Sequence, residues 1–163
     1  MNALSSRVKS DFNRARFHAV VHRIWAILSG RPVDLLSFEE IKKHLRIGVP
    51  VYRGMSTVKL EQVVGSLNRH HEFDRAFRPS NLVSSQRWQR VDRAFHEGIS
   101  LPAVILYQVG EAYFVVDGHH RVSVALRQGQ VFIDAEVREW VSDASRSQRV
   151  SIQDLNRLAA SPA

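Results

Sequence analysis

The chain has 163 residues, no cysteine, and a formal charge of +7 from 23 Lys and Arg against 16 Asp and Glu. The missing cysteines exclude disulfides and thiolate chemistry, and no apolar run approaches the ~20 residues of a membrane span. A hydrophobic content of 44% suits a compact domain with an appendage, and a pI of about 10.5 suits a polyanionic partner or an anionic ligand in a basic cleft.

Residues 6–29 read as an amphipathic helix, with Phe17, Val20, Val21, Ile24, Ile27 and Leu28 as the apolar stripe and Gly30 and Pro32 as the stop. The basic residues of this segment faintly resemble a transit peptide. The amphipathic pattern runs past any plausible cleavage site, so a cytoplasmic helix is the expectation. His18 and His22 share the i, i+4 spacing of zinc ligands, but flanking Arg16 and Arg23 mark a solvated basic face. Ser37 with Glu40 forms a capping box for a helix over 38–46, and Gly48 and Pro50 follow as a boundary.

From Ile47 the pattern becomes β-like, with a predicted strand over 58–64. Residues 66–81 form a polar loop rich in Arg and His, anchored by Phe73 and Phe77. Ser84 or Ser85 opens a helix to about Glu97, with Trp88, Val91 and Phe95 inward and Arg87, Arg90 and Arg93 outward. A strand over 101–109, a two-residue turn at Gly110-Glu111 and a strand over 112–116 make a hairpin. A helix over 118–128 ends at Gly129, and 131–137 alternates as a last strand. After a polar stretch at 142–149, Ser151 and Asp154 begin a short terminal helix.

This order predicts an α+β fold with a small mixed β-sheet and packed helices. The expected organisation is an N-terminal helical extension (1–46), a central domain (47–141), and a polar linker with a C-terminal helix (142–163).

The pentad Asp117-Gly118-His119-His120-Arg121 carries the functional signal. It follows the apolar run Tyr113-Phe114-Val115-Val116 and opens a helix, a layout that leaves backbone N–H groups free for an anion. The two histidines and the arginine are expected to add charge-assisted hydrogen bonds. Alternatively, Asp117 is only an N-cap and Gly118 only a turn residue. Asp117, His119 and His120 with His70, His71 and Glu72 also offer metal-ligand types. Their spacing matches no zinc pattern, adjacent histidines diverge on a helix, and no metal ligand is assigned.

The stretch 47–140 resembles the ParB/sulfiredoxin superfamily. The likeness rests on the strand and loop at 58–74, on Leu101 to Ile105 with its hairpin partner, and on Tyr113 to Arg121. The Asp-Gly-His-His-Arg form looks most like the branch that includes free-serine kinases and ParB-like nuclease domains. The resemblance implies a site for a nucleotide (ATP, ADP or CTP), with Mg²⁺ arriving on the nucleotide, or for another phosphorylated small molecule. Gly118, His119, His120, Arg121 and Arg69 are then the binding residues, and Glu72, from a His-Glu pair in the first loop, joins Asp117 as a catalytic carboxylate. Sulfiredoxin activity needs a cysteine that this chain lacks. With only a short stretch after Trp140, a complete partition protein is not the expectation. The primary expectation is a nucleotide- or phosphate-binding domain in regulation or phosphotransfer. The alternatives are a serine-kinase-like phosphotransferase and a nucleic-acid-binding protein or metal-dependent nuclease.

Overall fold

The computed structural model describes residues 3–28, 33–80, 85–141 and 150–161. Among the described residues, five helices surround a mixed sheet of six strands in the order β1-β3-β5-β4-β6-β2. The strands are β1 (Leu36–Ser37), β2 (Pro50–Lys59), β3 (Val63–Ser66), β4 (Val104–Val109), β5 (Ala112–Asp117) and β6 (Phe132–Trp140). The helices are α1 (Ala3–Leu28), α2 (Phe38–Leu45), α3 (Ser85–His96), α4 (His119–Arg127) and α5 (Ile152–Ala160). The α+β expectation holds.

Alternation along the central strands builds two cores. Val104 and Leu106 of β4, Val115 of β5, and Ala135 and Val137 of β6 face one side, where Val122 and Ala125 of α4 and the loop residues Phe73 and Phe77 cover them. Phe114 and Val109 face the other side, against Phe38 and Ile41 of α2 and Leu155 of α5. Residues 36–45 are therefore woven into the sheet and its second core: β1 pairs parallel with β3, and Phe38 packs on Phe114 and Trp140. Ser37 caps α2 by accepting the Glu40 N–H at 3.5 Å.

The strand expected over 58–64 divides instead. Residues 50–59 pair antiparallel with β6 at one side of the sheet. A 3₁₀ turn, Leu60–Gln62, carries the chain across, and Val63–Ser66 pairs parallel with β5. Leu60 drives the break: its side chain is buried, and its N–H is held by the Val131 carbonyl at 2.9 Å. The hairpin forms at Gly110, where φ is +59° and a Cβ would collide with Val150. The preceding strand starts at Val104 rather than at 101, and the last strand runs from 132 to 140. The C-terminal helix carries a complete capping box between Ser151 and Asp154. Residues 142–149 and Ser84 lie outside the described residues.

Helix α1 corrects the expected apolar face. Val8, Phe12, Ala15 and Ala19 are buried, with Phe12 and Ala15 against Trp88 of α3 and Val124 of α4. Phe17, Val20, Val21, Ile24 and Leu28 are exposed. Both stripes have helical spacing. At about 100° per residue, Phe17 projects roughly 180° from Val8, so one body can cover only one of them. The covered stripe contains two alanines and lets α3 approach closely. The Ile27 side chain lies outside the described set.

Candidate functional site

β5 delivers Asp117 to the sheet end, and α4 begins two residues later. Gly118 is the N-cap, with φ +102°, a region that an L side chain rarely adopts. A Cβ here would also lie 2.5 Å from Val104 Cγ1. The glycine is thus required by the turn and by packing on β4, whatever approaches from outside. The first helical hydrogen bond runs from Val122 N–H to the Gly118 carbonyl at 3.0 Å. The N–H groups of residues 119–121 therefore precede the intrahelical ladder.

Arg121 folds back as a brace. Its Nη1 donates to the carbonyls of Pro102 and Ala103, at 2.5 and 2.7 Å, and its Nη2 donates to Asp117 Oδ2 at 2.6 Å. These bonds tie the approach to β4 onto the helix start. They also explain why residues 101–103 lie outside the strand: two of their carbonyls face a guanidinium instead of a neighbouring backbone. The Asp117 carboxylate is otherwise open to solvent.

Both histidines depart from the expected cationic role. His119 is buried, stacked on Phe73 with centroids 6.0 Å apart, and its Nε2 lies 2.8 Å from Ser66 Oγ. Ser66 Oγ also accepts the Arg69 N–H at 2.9 Å, so one hydroxyl joins the end of β3, the loop and α4. His120 meets the edge of the same Phe73 ring at 5.9 Å, and its two ring nitrogens are buried without hydrogen-bond partners. Adjacent helical histidines were expected to diverge, yet Phe73 reaches both. Burial, reinforced by Arg69, lowers each pKa to about 4. At neutral pH both rings are uncharged and can offer N–H donors but no charge.

Positive charge comes from arginines. A polar cleft of about 330 Å³ is lined by Asn68, Arg69, Arg87, Val91 and Val116 together with the whole pentad. Arg69 was expected here from sequence. Arg87 was read as a solvated partner of Arg90 and Arg93. Only the packing of α3 beside α4, fixed by the Trp88 Nε1 bond to Ser123 Oγ at 2.9 Å, turns it to the rim. Ser66 and Asn68 were read only as part of the polar loop over 66–81.

Glu72 is not among the lining residues. Its carboxylate lies 3.4 Å from Arg69 Nη1, which links it to the cleft through that arginine. His71 is engaged elsewhere, with its Nδ1 2.9 Å from Asp34 Oδ2. The loop bearing these residues is ordered from within: Asp74 Oδ1 accepts the N–H groups of Ala76 and Arg78, each at 2.9 Å. Buried Phe73 and Phe77 anchor it, as expected.

No protein-family model matches the chain, and no curated protein matches it either. Among solved structures, the chain is similar to a sulfiredoxin from Arabidopsis thaliana at 12% identity and a TM-score of 0.41, over 60% of this chain and 98% of that one. Among the described residues, no helix is long and apolar enough to cross a membrane.

Proposed function

We propose that this protein binds a phosphorylated small molecule, with a nucleotide as the preferred form, in the cleft between Arg69, Arg87 and the amino end of α4. One observation carries this reading: three arginines and a set of helix N–H groups converge on one polar cleft. The volume matches the lower end of small-ligand sites. The resemblance of the Asp117–Arg121 turn to ParB/sulfiredoxin phosphate-binding turns supports the same ligand. Arg69 and Arg87 line the cleft and are the residues assigned to phosphate oxygens, while Arg121 and Asp117 hold the turn in shape. The neutral imidazoles add no charge to the cleft wall.

The test is thermal unfolding with ATP, ADP, CTP, GTP and inorganic phosphate, each with and without Mg²⁺. Ligand at ~100 Kd is expected to add about 2.7 kcal/mol. Arg69→Ala and Arg87→Ala should each weaken binding roughly 10-fold or more, the worth of a charge-assisted hydrogen bond. Absence of stabilisation at millimolar ligand overturns the reading. DNA affinity that falls steeply with salt and ignores Arg69→Ala would replace it with a basic-surface role.

The Arg69–Glu72 pair favours a second reading, phosphotransfer. A phosphate that draws Arg69 into the cleft would release the Glu72 carboxylate to accept a proton from a hydroxyl. Formation of phosphoserine from free serine and ATP, abolished in Glu72→Gln with nucleotide affinity retained, is the outcome this reading requires.

A further inference from the structure

At the opposite end of α4 from the cleft, the carboxyl ends of α3 and α4 meet the first half of α1. Asp92 and His96 lie one turn apart on α3, and Asp11 faces them from α1. Their ligand atoms all lie within 4.8 Å of one another. His96 Nε2 is 3.6 Å from Asp11 Oδ2 and 3.7 Å from Asp92 Oδ2. We infer that these three side chains form a site for a divalent first-row transition metal of the Zn²⁺ type, which clamps α1 onto α3 and α4. This inference does not rest on the ligand proposed for the cleft.

Four features support a cation rather than a simple ion-pair cluster. First, the spacings are too long for hydrogen bonds, which fall near 2.7–3.2 Å. They are close to the ~3.4 Å edge of a tetrahedron with metal–ligand bonds of about 2.1 Å. Second, Asp92 is fully buried, and its Oδ2, the oxygen directed at His96, has no hydrogen-bond partner. A buried carboxylate oxygen without a partner is costly, and a metal would satisfy it.

Third, the other oxygen of Asp92 is held by a hydrogen bond, and the other oxygen of Asp11 faces a guanidinium. Gln128 Nε2 donates to Asp92 Oδ1 at 2.8 Å and lies 3.4 Å from His96 Nε2, and Asp11 Oδ1 lies 3.6 Å from Arg127 Nη2. Outer contacts of this kind orient metal ligands and leave one lone pair aimed inward. Fourth, the field is right. His96 ends α3, and Arg127 and Gln128 stand at the end of α4, so two negative helix ends converge here. Both carboxylates face the Arg127 guanidinium. One imidazole with two carboxylates suits Zn²⁺, Mn²⁺ or Ni²⁺ better than Mg²⁺, which prefers oxygen ligands and retained water.

The experiment uses the full chain without a histidine tag, dialysed against chelator and then titrated with Zn²⁺ or Co²⁺. The expected result is 1:1 binding, a visible Co²⁺ spectrum of low coordination number, and a thermal midpoint raised by roughly 5–10 °C at Zn²⁺ about 100 times Kd. Asp11→Asn on a partly exposed helix face, and His96→Gln, should each cost more affinity than the roughly 10–100-fold lost with an outer partner such as Gln128. His71→Gln should change nothing. The unliganded circular dichroism spectrum of each variant checks that the fold is retained. No 1:1 binding, or binding that survives Asp11→Asn and His96→Gln while falling with His71→Gln, overturns the proposal.

Discussion

The two ends of α4 are chemical opposites. Its amino end opens onto Arg69, Arg87, two uncharged histidines and an exposed aspartate, while its carboxyl end lies beside Asp92, Asp11 and His96. The helix has nine residues, so the two environments are separated by only about 14 Å. The backbone dipole sets the signs, since free N–H groups favour an anion and free carbonyls a cation. The neighbours then amplify each sign in different ways. At the amino end charge is carried by long, partly exposed arginines, and the buried groups are neutral. At the carboxyl end the charged carboxylate of Asp92 is itself buried, and desolvation raises its pKa. Exposed arginines around an open cleft are held at little cost. A buried acidic cluster without a cation is held at a cost in stability.

Substitutions can break this comparison, and the largest effect is expected beneath the carboxyl end. Phe12→Ala removes a buried ring that packs on Trp88 at 5.4 Å, next to Asp11. A loss of about 3–5 kcal/mol is expected in urea unfolding, together with weaker metal binding and an unchanged cleft. If nucleotide affinity falls by the same factor as metal affinity, the two ends are not independent.

At the amino end, Gly118→Ala should cost about 3 kcal/mol, from the positive φ and the collision with Val104. A variant of wild-type stability with lost ligand binding would instead make the glycine a ligand-approach residue.

The third prediction concerns pH. His119 titrates at 6.5 when unfolded and at about 4 when folded, so the unfolded state binds more protons between those values. Its contribution is fully present above pH 6.5 and is lost as pH falls towards 4. Between pH 7 and 5 that loss is about 2 kcal/mol, and His119→Gln should flatten this part of the stability profile. Asp92 has the opposite sign: its raised pKa means that stability contributed by its protonation is lost as pH rises. Chelator should expose that slope, and Zn²⁺ should remove it.

The smallest effect is expected on the outer face of α1. Ile24→Ser should change stability by no more than about 0.5 kcal/mol, because the residue is exposed. A larger loss would show that this face is covered in solution.

Local signals were readable wherever backbone rules decide the outcome. Ser37, Gly110, Gly118 and Ser151 announced their caps and turns because each serves its own neighbours in sequence. Leu60 was misread because its role depends on a contact with Val131, far along the chain. The same reason hid Arg87, which differs from Arg90 and Arg93 only in what α3 packs against. It also hid the pairing of His96 with Asp11, which belong to separate helices. His119 and His120 were singled out in sequence but assigned the wrong charge, since desolvation is a property of Phe73, Ser66 and the loop around them.

The sequence by itself determined the α+β class, most of the elements, and the Asp117–Arg121 turn, because periodicity, capping and glycine conformations act over a few residues. Tertiary structure alone decided which stripe of α1 is buried, that the 58–64 run serves two distant strands, and which arginines line the cleft. It also decided that the histidines there are neutral and that Asp11, Asp92 and His96 meet. All of these depend on burial and on distances between segments remote in the chain, which no local pattern encodes.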